Sequence, residues 1–170
     1  MPHRFLRDRR GTTAIEFVIL AIPFSLLVFA ILESCVSFAA QQVLADTADR
    51  VARELRTGQW TPATLAPGQI QKMICDPIKI IVPSCTDLHV DLEQYQTFAD
   101  AAKVRIPYTA TGDLDTSGFK IDPGGTGTKN MLRVFYEWPI MTPLMSNLMA
   151  NLPGGKTLLF ASVTWQNEPY

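Results

Sequence analysis

The chain has 170 residues, room for one ordinary domain plus an anchor. Fifteen basic and sixteen acidic side chains leave a net charge of −1. No basic stripe with interleaved aromatics follows residue 57, which argues against a nucleic-acid partner.

That near-neutral sum hides a sharp asymmetry at the N-terminus. Residues 1–10 carry Arg4, Arg7, Arg9 and Arg10 against one acid, Asp8. Glu16 then stands at the mouth of Phe17–Leu32, sixteen residues without a charge. A carboxylate near hydrocarbon costs about 2.5–3.5 kcal/mol on insertion scales, so it marks a functional position by default. Sixteen residues fall short of the roughly 20 that a span needs, and both flanks can supply the rest. The arginine cluster predicts a cytoplasmic N-terminus, with the remaining chain outside. Pro23 cannot donate to the Ile19 carbonyl, and a kink is expected there.

The helical pattern continues beyond the apolar run. Val36, Ala40, Val43, Thr47, Val51 and Leu55 recur at steps of three or four and form one stripe. Asp46–Arg50 and Asp49–Arg53 are i,i+4 pairs on the other face. With Gly58 as the stop, one helix over about 13–57 is expected, about 65 Å long. Its stripe serves either the chain's own core or a partner helix.

Residues 59–67 read as a turn-rich connection, and 69–82 as a short helix broken near Pro77. His89–Leu92 reads as a strand, 94–102 as a short helical turn and 103–108 as extended chain. Residues 109–130 read as loop with one strand over Phe119–Asp122. Asn130–Trp138 is the best strand, ended by Pro139. Thr142 as cap and Pro143 at the first position predict a helix to about Leu152. Thr157–Gln166 reads as the last strand. The fold class is therefore α+β: a long N-terminal membrane helix continues into an amphipathic helix packed on a small antiparallel sheet. The expected divisions are a basic leader 1–11, the helix 12–57 and an outer domain 58–170.

Cys75 and Cys85 are free to form a disulfide if the outer domain lies outside the inner membrane; otherwise they are two buried thiols. Closing that loop of roughly ten residues would stabilise the fold by about 2–4 kcal/mol. With only His3 and His89 present, far apart in sequence, no metal site is expected. The Pro123–Lys129 loop has Thr128, not glycine, before its lysine, and leads into a strand, so it does not read as a phosphate loop. A triad would need His89 as base, and a lone histidine on a strand reads better as a surface residue. Trp60, Trp138 and Trp165 read as core or interface anchors.

Three N-terminal signals compete. A secretory signal would be cut near Ser37–Ala39, and a lipoprotein signal at Cys35, after an unsuitable Glu33. The third is a prepilin-type leader, cut before the apolar run. Gly11-Thr12-Thr13-Ala14-Ile15-Glu16-Phe17 resembles the prepilin peptidase site of the tight-adherence pilus system. Phe17 departs from the tyrosine usual in the major pilin. The stretch RRGTTAIEFVILAIP is similar to that of TadE-like pilus-assembly proteins, which are minor pseudopilins. Residues 123–143 and the ending Asn167-Glu168-Pro169-Tyr170 resemble that family too, with Gln166 in place of an expected arginine.

The resemblance implies cleavage after Gly11, a new amine at Thr12, and pairing of that amine with Glu16 in the same or a neighbouring subunit. It implies an inner-membrane protein with a periplasmic domain, non-enzymatic, supporting pilus assembly through its first helix. The implied partners are a prepilin peptidase, the major pilin and other minor pseudopilins. Neither a cofactor nor a small-molecule substrate is expected. The alternative is a secreted or membrane-tethered binding module whose N-terminus is only a targeting signal.

Overall fold

The computed structural model describes residues 10–82 and 84–170, so residues 1–9, most of the leader expected over 1–11, lie outside it. One helix, α1, runs unbroken from Arg10 to Arg56. At 1.5 Å per residue it is about 70 Å long. It ends where expected. Gly58 takes φ +75°, its N–H donates to the Leu55 carbonyl, and the Gln59 N–H donates to that of Glu54. A side chain at Gly58 would also collide with the Tyr170 ring, 2.5 Å from an added Cβ.

Four elements follow in order: α2 (Gln69–Ile78), β1 (Leu88–Tyr95), α3 (Phe98–Ala101) and β2 (Lys129–Pro139). Then come α4 (Pro143–Met149) and β3 (Lys156–Gln166). The strands form one antiparallel sheet in the order β1-β2-β3, with Leu132 opposite both Leu92 and Val163. The fold class is α+β, as the sequence predicts.

Period-two alternation sends the two sides of β2 to different tasks. Leu132, Val134, Tyr136 and Trp138 face the helices and join a core with Leu44, Val51 and Leu55 of α1 and Ile70, Ile74 and Ile78 of α2. The stripe on α1 therefore serves the chain's own core. It is centred slightly differently from the sequence reading. Ala40, Leu44, Thr47, Ala48, Val51, Ala52 and Leu55 are buried, Val43 is half-buried, and Val36 is 47% exposed.

The other side of β2 presents Met131, Arg133 and Phe135 to the 98–121 segment. Here the sheet holds a buried ion pair. Arg133 donates to Asp91 Oδ2 through Nη2 at 2.6 Å and Nε at 2.9 Å. Its Nη1 donates to the Arg105 carbonyl, and Asp91 Oδ1 accepts the Lys120 N–H at 3.0 Å. The guanidinium also lies near the rings of Phe119 and Phe135, 5.8 and 5.7 Å from their centroids. The pair thus fastens the long loop over the sheet. Nothing in a single-sequence pattern marks it.

Both sheet edges are closed by short contacts. On β1, Leu92 exchanges two hydrogen bonds of 2.8 Å with Lys120 and Asp122. The strand expected over Phe119–Asp122 is therefore one parallel bridge at Ile121. On β3, the Gln41 amide donates to the Phe160 carbonyl at 2.9 Å and accepts the Phe160 N–H at 3.1 Å. Asn151 Oδ1 accepts the Leu158 N–H at 2.8 Å.

Other expectations need correcting. The segment read as a helical turn from Gln94 begins as strand, because Gln94 and Tyr95 pair with Asn130 and Lys129. The turn proper starts after Thr97, whose hydroxyl accepts the Asp100 N–H. α4 stops at Met149, short of Leu152, and Thr142 gives it no side-chain cap. Neither i,i+4 ion pair on α1 forms among the described residues: Asp46 accepts from Gln42 instead, and Arg56 pairs with Glu168 at 3.2 Å.

Removing one partner from a buried pair costs about 3–5 kcal/mol, because the other charge stays buried. Arg133→Ala should lower stability by that amount in urea titrations of the detergent-solubilised chain. A midpoint unchanged from wild type would show that the pair does not hold the cover down.

Candidate functional site

The candidate site is the exposed half of α1 and the place where it meets the head, formed by the sheet and its short helices. From Phe17 to Leu32 the helix carries no charge, and its large side chains are mostly exposed: Phe17 is 70% exposed and Leu20 69%. A helix apolar on every side needs an apolar surrounding, and this one is long and apolar enough to cross a membrane. Pro23 lies within it, and the helix continues through.

Thr12 and Glu16 are exposed and four residues apart, on one face and one turn from each other. Gly11 and Thr12 sit at the start of the described part of α1. The arginines of residues 4–9 lie outside the described residues.

The far end of the apolar run is marked by Glu33. Its carboxylate accepts the backbone N–H groups of Met141 and Thr142, the latter at 3.1 Å to Oε2. The head thus satisfies this charge with two amides just before α4. Ser34 follows, its hydroxyl donating to the Ala30 carbonyl and lying 3.9 Å from Met149 Sδ. A small apolar hollow lined by Phe29, Leu32, Val36, Trp138 and Met141 surrounds Glu33. Glu16 and Glu33 are 17 residues apart, about 25 Å along the axis, close to the roughly 30 Å of hydrocarbon in a bilayer. The role of Glu33 was missed from sequence. Its partners are backbone amides 108 and 109 residues away, and no local pattern announces them.

Residues 11–53 match the family model of TadE-like protein. The matched stretch covers the exposed part of α1 and most of its buried stripe, and ends before the head. The TadE-like family is one of tight-adherence pilus assembly, and its members are structural rather than enzymatic. No curated protein matches the chain, and no solved structure does.

The remaining candidates fall into structural roles. Cys75 and Cys85 are joined by a disulfide that closes the turn after α2, while Cys35 is exposed and free. The Pro123–Lys129 loop wraps the side chain of Asn167. The Nδ2 of Asn167 donates to the Pro123 and Gly125 carbonyls at 3.0 and 2.9 Å, and its Oδ1 accepts Trp165 Nε1 at 2.7 Å. Gly124 takes φ +64°, and an added Cβ would meet Thr128 Oγ1 at 2.3 Å. Gln166, standing where an arginine was expected, donates to the Gly127 carbonyl. Trp138 and Trp165 are buried, and Trp60 donates to Glu54 at 2.9 Å.

His89 joins a polar cluster with Asp87, Glu137 and Lys156. Its Nε2 is 3.7 Å from Glu137, while Lys156 Nζ reaches Glu137 at 2.9 Å and Asp87 at 3.1 Å. The hydrogen bond from Lys156 holds the Asp87 carboxyl below its usual range, and the bonds to Glu137 and Asp87 raise Lys156.

Glu33→Ala should speed amide exchange at Met141 and Thr142 while leaving Leu132 and Val134 protected. Equal protection in both proteins would deny Glu33 that role. The polar cluster predicts a pH response. Asp87, lowered in the fold, stabilises above its unfolded value near about 4, and this is lost as pH falls through its folded value. Lys156, raised in the fold, stabilises below about 10.4, and this is lost as pH rises through its folded value. Lys156→Met should flatten both limbs of the stability profile; an unaltered profile would show that the cluster contributes nothing.

Proposed function

We propose that this chain is a minor pseudopilin that supports assembly of a tight-adherence, type IVb-like pilus through its first helix. It would sit in the inner membrane with residues 1–11 as a cytoplasmic leader, 12–57 as the spanning and amphipathic helix, and 58–170 as a periplasmic domain. A prepilin peptidase would cut between Gly11 and Thr12. The new amine of Thr12 would pair with Glu16, in the same chain or across to the major pilin or another minor pseudopilin. Either pairing lowers the cost of burying both charges. Phe17 belongs to the recognised motif, and a bend at Pro23 would shape the packing surface.

The single observation that carries this reading is the change of character along one continuous helix. Between Phe17 and Leu32 it is exposed and uncharged, and its second half is buried on one stripe. Such a helix presents a stem to lipid or to other stems while it carries a folded head.

A second observation favours the stem's retention over its removal by a secretory cut. The head grips Glu33 through the amides of Met141 and Thr142. A cut near Ala39–Ala40 would discard that contact.

Intact mass of the membrane-extracted protein tests the reading. A mature chain beginning at Thr12 is expected. One beginning near Ala40 would overturn it in favour of a secreted binding module. Glu16→Gln should leave the head folded but strongly reduce piliation, scored by electron microscopy. Undiminished piliation would remove charge pairing from the mechanism.

A further inference from the structure

Among the described residues outside α1, the three most exposed large hydrophobic residues are Ile80 at 89%, Met141 at 84% and Leu148 at 73%; the next, Tyr108, reaches only 49%. All three lie at one end of the head. β2 runs toward that end, finishing at Trp138 and Pro139 beside Phe29, Leu32 and Glu33 of α1. Met141 and Leu148 belong to the segment that follows, and Ile80 belongs to the disulfide-closed turn after α2. That turn is tied to the same end. The Ser84 carbonyl accepts from the Tyr136 hydroxyl at 3.4 Å, and the Asp87 carbonyl accepts the Glu137 N–H at 3.1 Å. Residues 139–155 contain no charged side chain, which is unusual for an exposed connection of that length in a chain that is 18% charged.

We infer that this pole of the head, presenting Ile80, Met141 and Leu148, rests on the lipid bilayer as a second membrane contact beside the spanning helix. The inference rests on the reading of α1 as a span. It names lipid because the pole is continuous with the apolar stem. The amides that hold Glu33 are those of Met141 and Thr142, so the uncharged segment lies at the level where the apolar run of α1 ends. Thr142, Ser146, Asn147 and Asn151 provide hydroxyls and amides suited to headgroups, while Met141 and Leu148 reach the acyl boundary. The Cys75–Cys85 bridge fixes the turn that carries Ile80, and the Glu33 contact fixes the segment that carries Met141. Together they set the head at one height and tilt on the surface, where a single helix alone would leave it free to swing.

The test uses the full chain in vesicles of phosphatidylethanolamine and phosphatidylglycerol, in a Cys35→Ser background. Single nitroxide labels are placed through Ile80→Cys, Met141→Cys and Leu148→Cys. Leu27→Cys reports the stem, and Gln96→Cys reports the opposite end of the head. Collision with oxygen relative to a water-soluble nickel chelate is read by power saturation. The ratio at 80, 141 and 148 should be several-fold above that at 96 and approach that at 27. Ratios at these positions equal to that at 96, with 27 still in lipid, would overturn the inference and leave the span intact. A water-exposed label at 27 would overturn the span and the inference together. Positions 80, 141 and 148 shielded from both reagents would also overturn it, by showing a protein cover in place of lipid.

Discussion

The close seating of α1 on the sheet is the contact on which the rest depends. Ala40, Ala48 and Ala52 alternate with Leu44, Val51 and Leu55 along the buried stripe. The small residues let the helix approach the sheet, and the large ones fill the space beside it. Because this half of α1 is seated on the head, the other half projects as its helical continuation through Pro23. Glu33 lies where the two regimes meet.

The charges are distributed to suit that meeting point. Arg133 and Asp91 are buried deep in the head, where four hydrogen bonds and two aromatic rings surround them. Glu33 is held at the border by two backbone amides. Glu16 is exposed on the stem. The first two have their partners inside the chain. Glu16 fits the proposed role because the partner assigned to it, a terminal amine, would exist only after processing.

Much of this was legible in the sequence. The helix from Arg10 to Arg56 was readable because its periodicity holds over a long window and Gly58 closes it. β2 and β3 were readable from dense aromatic and branched residues bounded by proline and glycine. The extent of β1 was not, because Asp91 and Glu93 are polar and their pairing partners lie some forty residues ahead. The same distance hid the Asp91–Arg133 pair. Thr142 looked like a cap by residue type, but the amides before α4 are engaged by Glu33, a group from another part of the chain. Local rules see neighbours in sequence, and these features depend on neighbours in space.

The amide of Gln41 takes on a further meaning in a crowded membrane. It meets both backbone groups of Phe160, as a neighbouring strand would, and Asn151 does half as much at Leu158. Heads tethered side by side at high local density face a standing hazard, the zipping of one bare strand onto the next. A side chain from the stem helix, laid along part of that border, blocks this without adding a strand. On the proposed membrane role, such heads would gather closely and still leave lateral association to the stems.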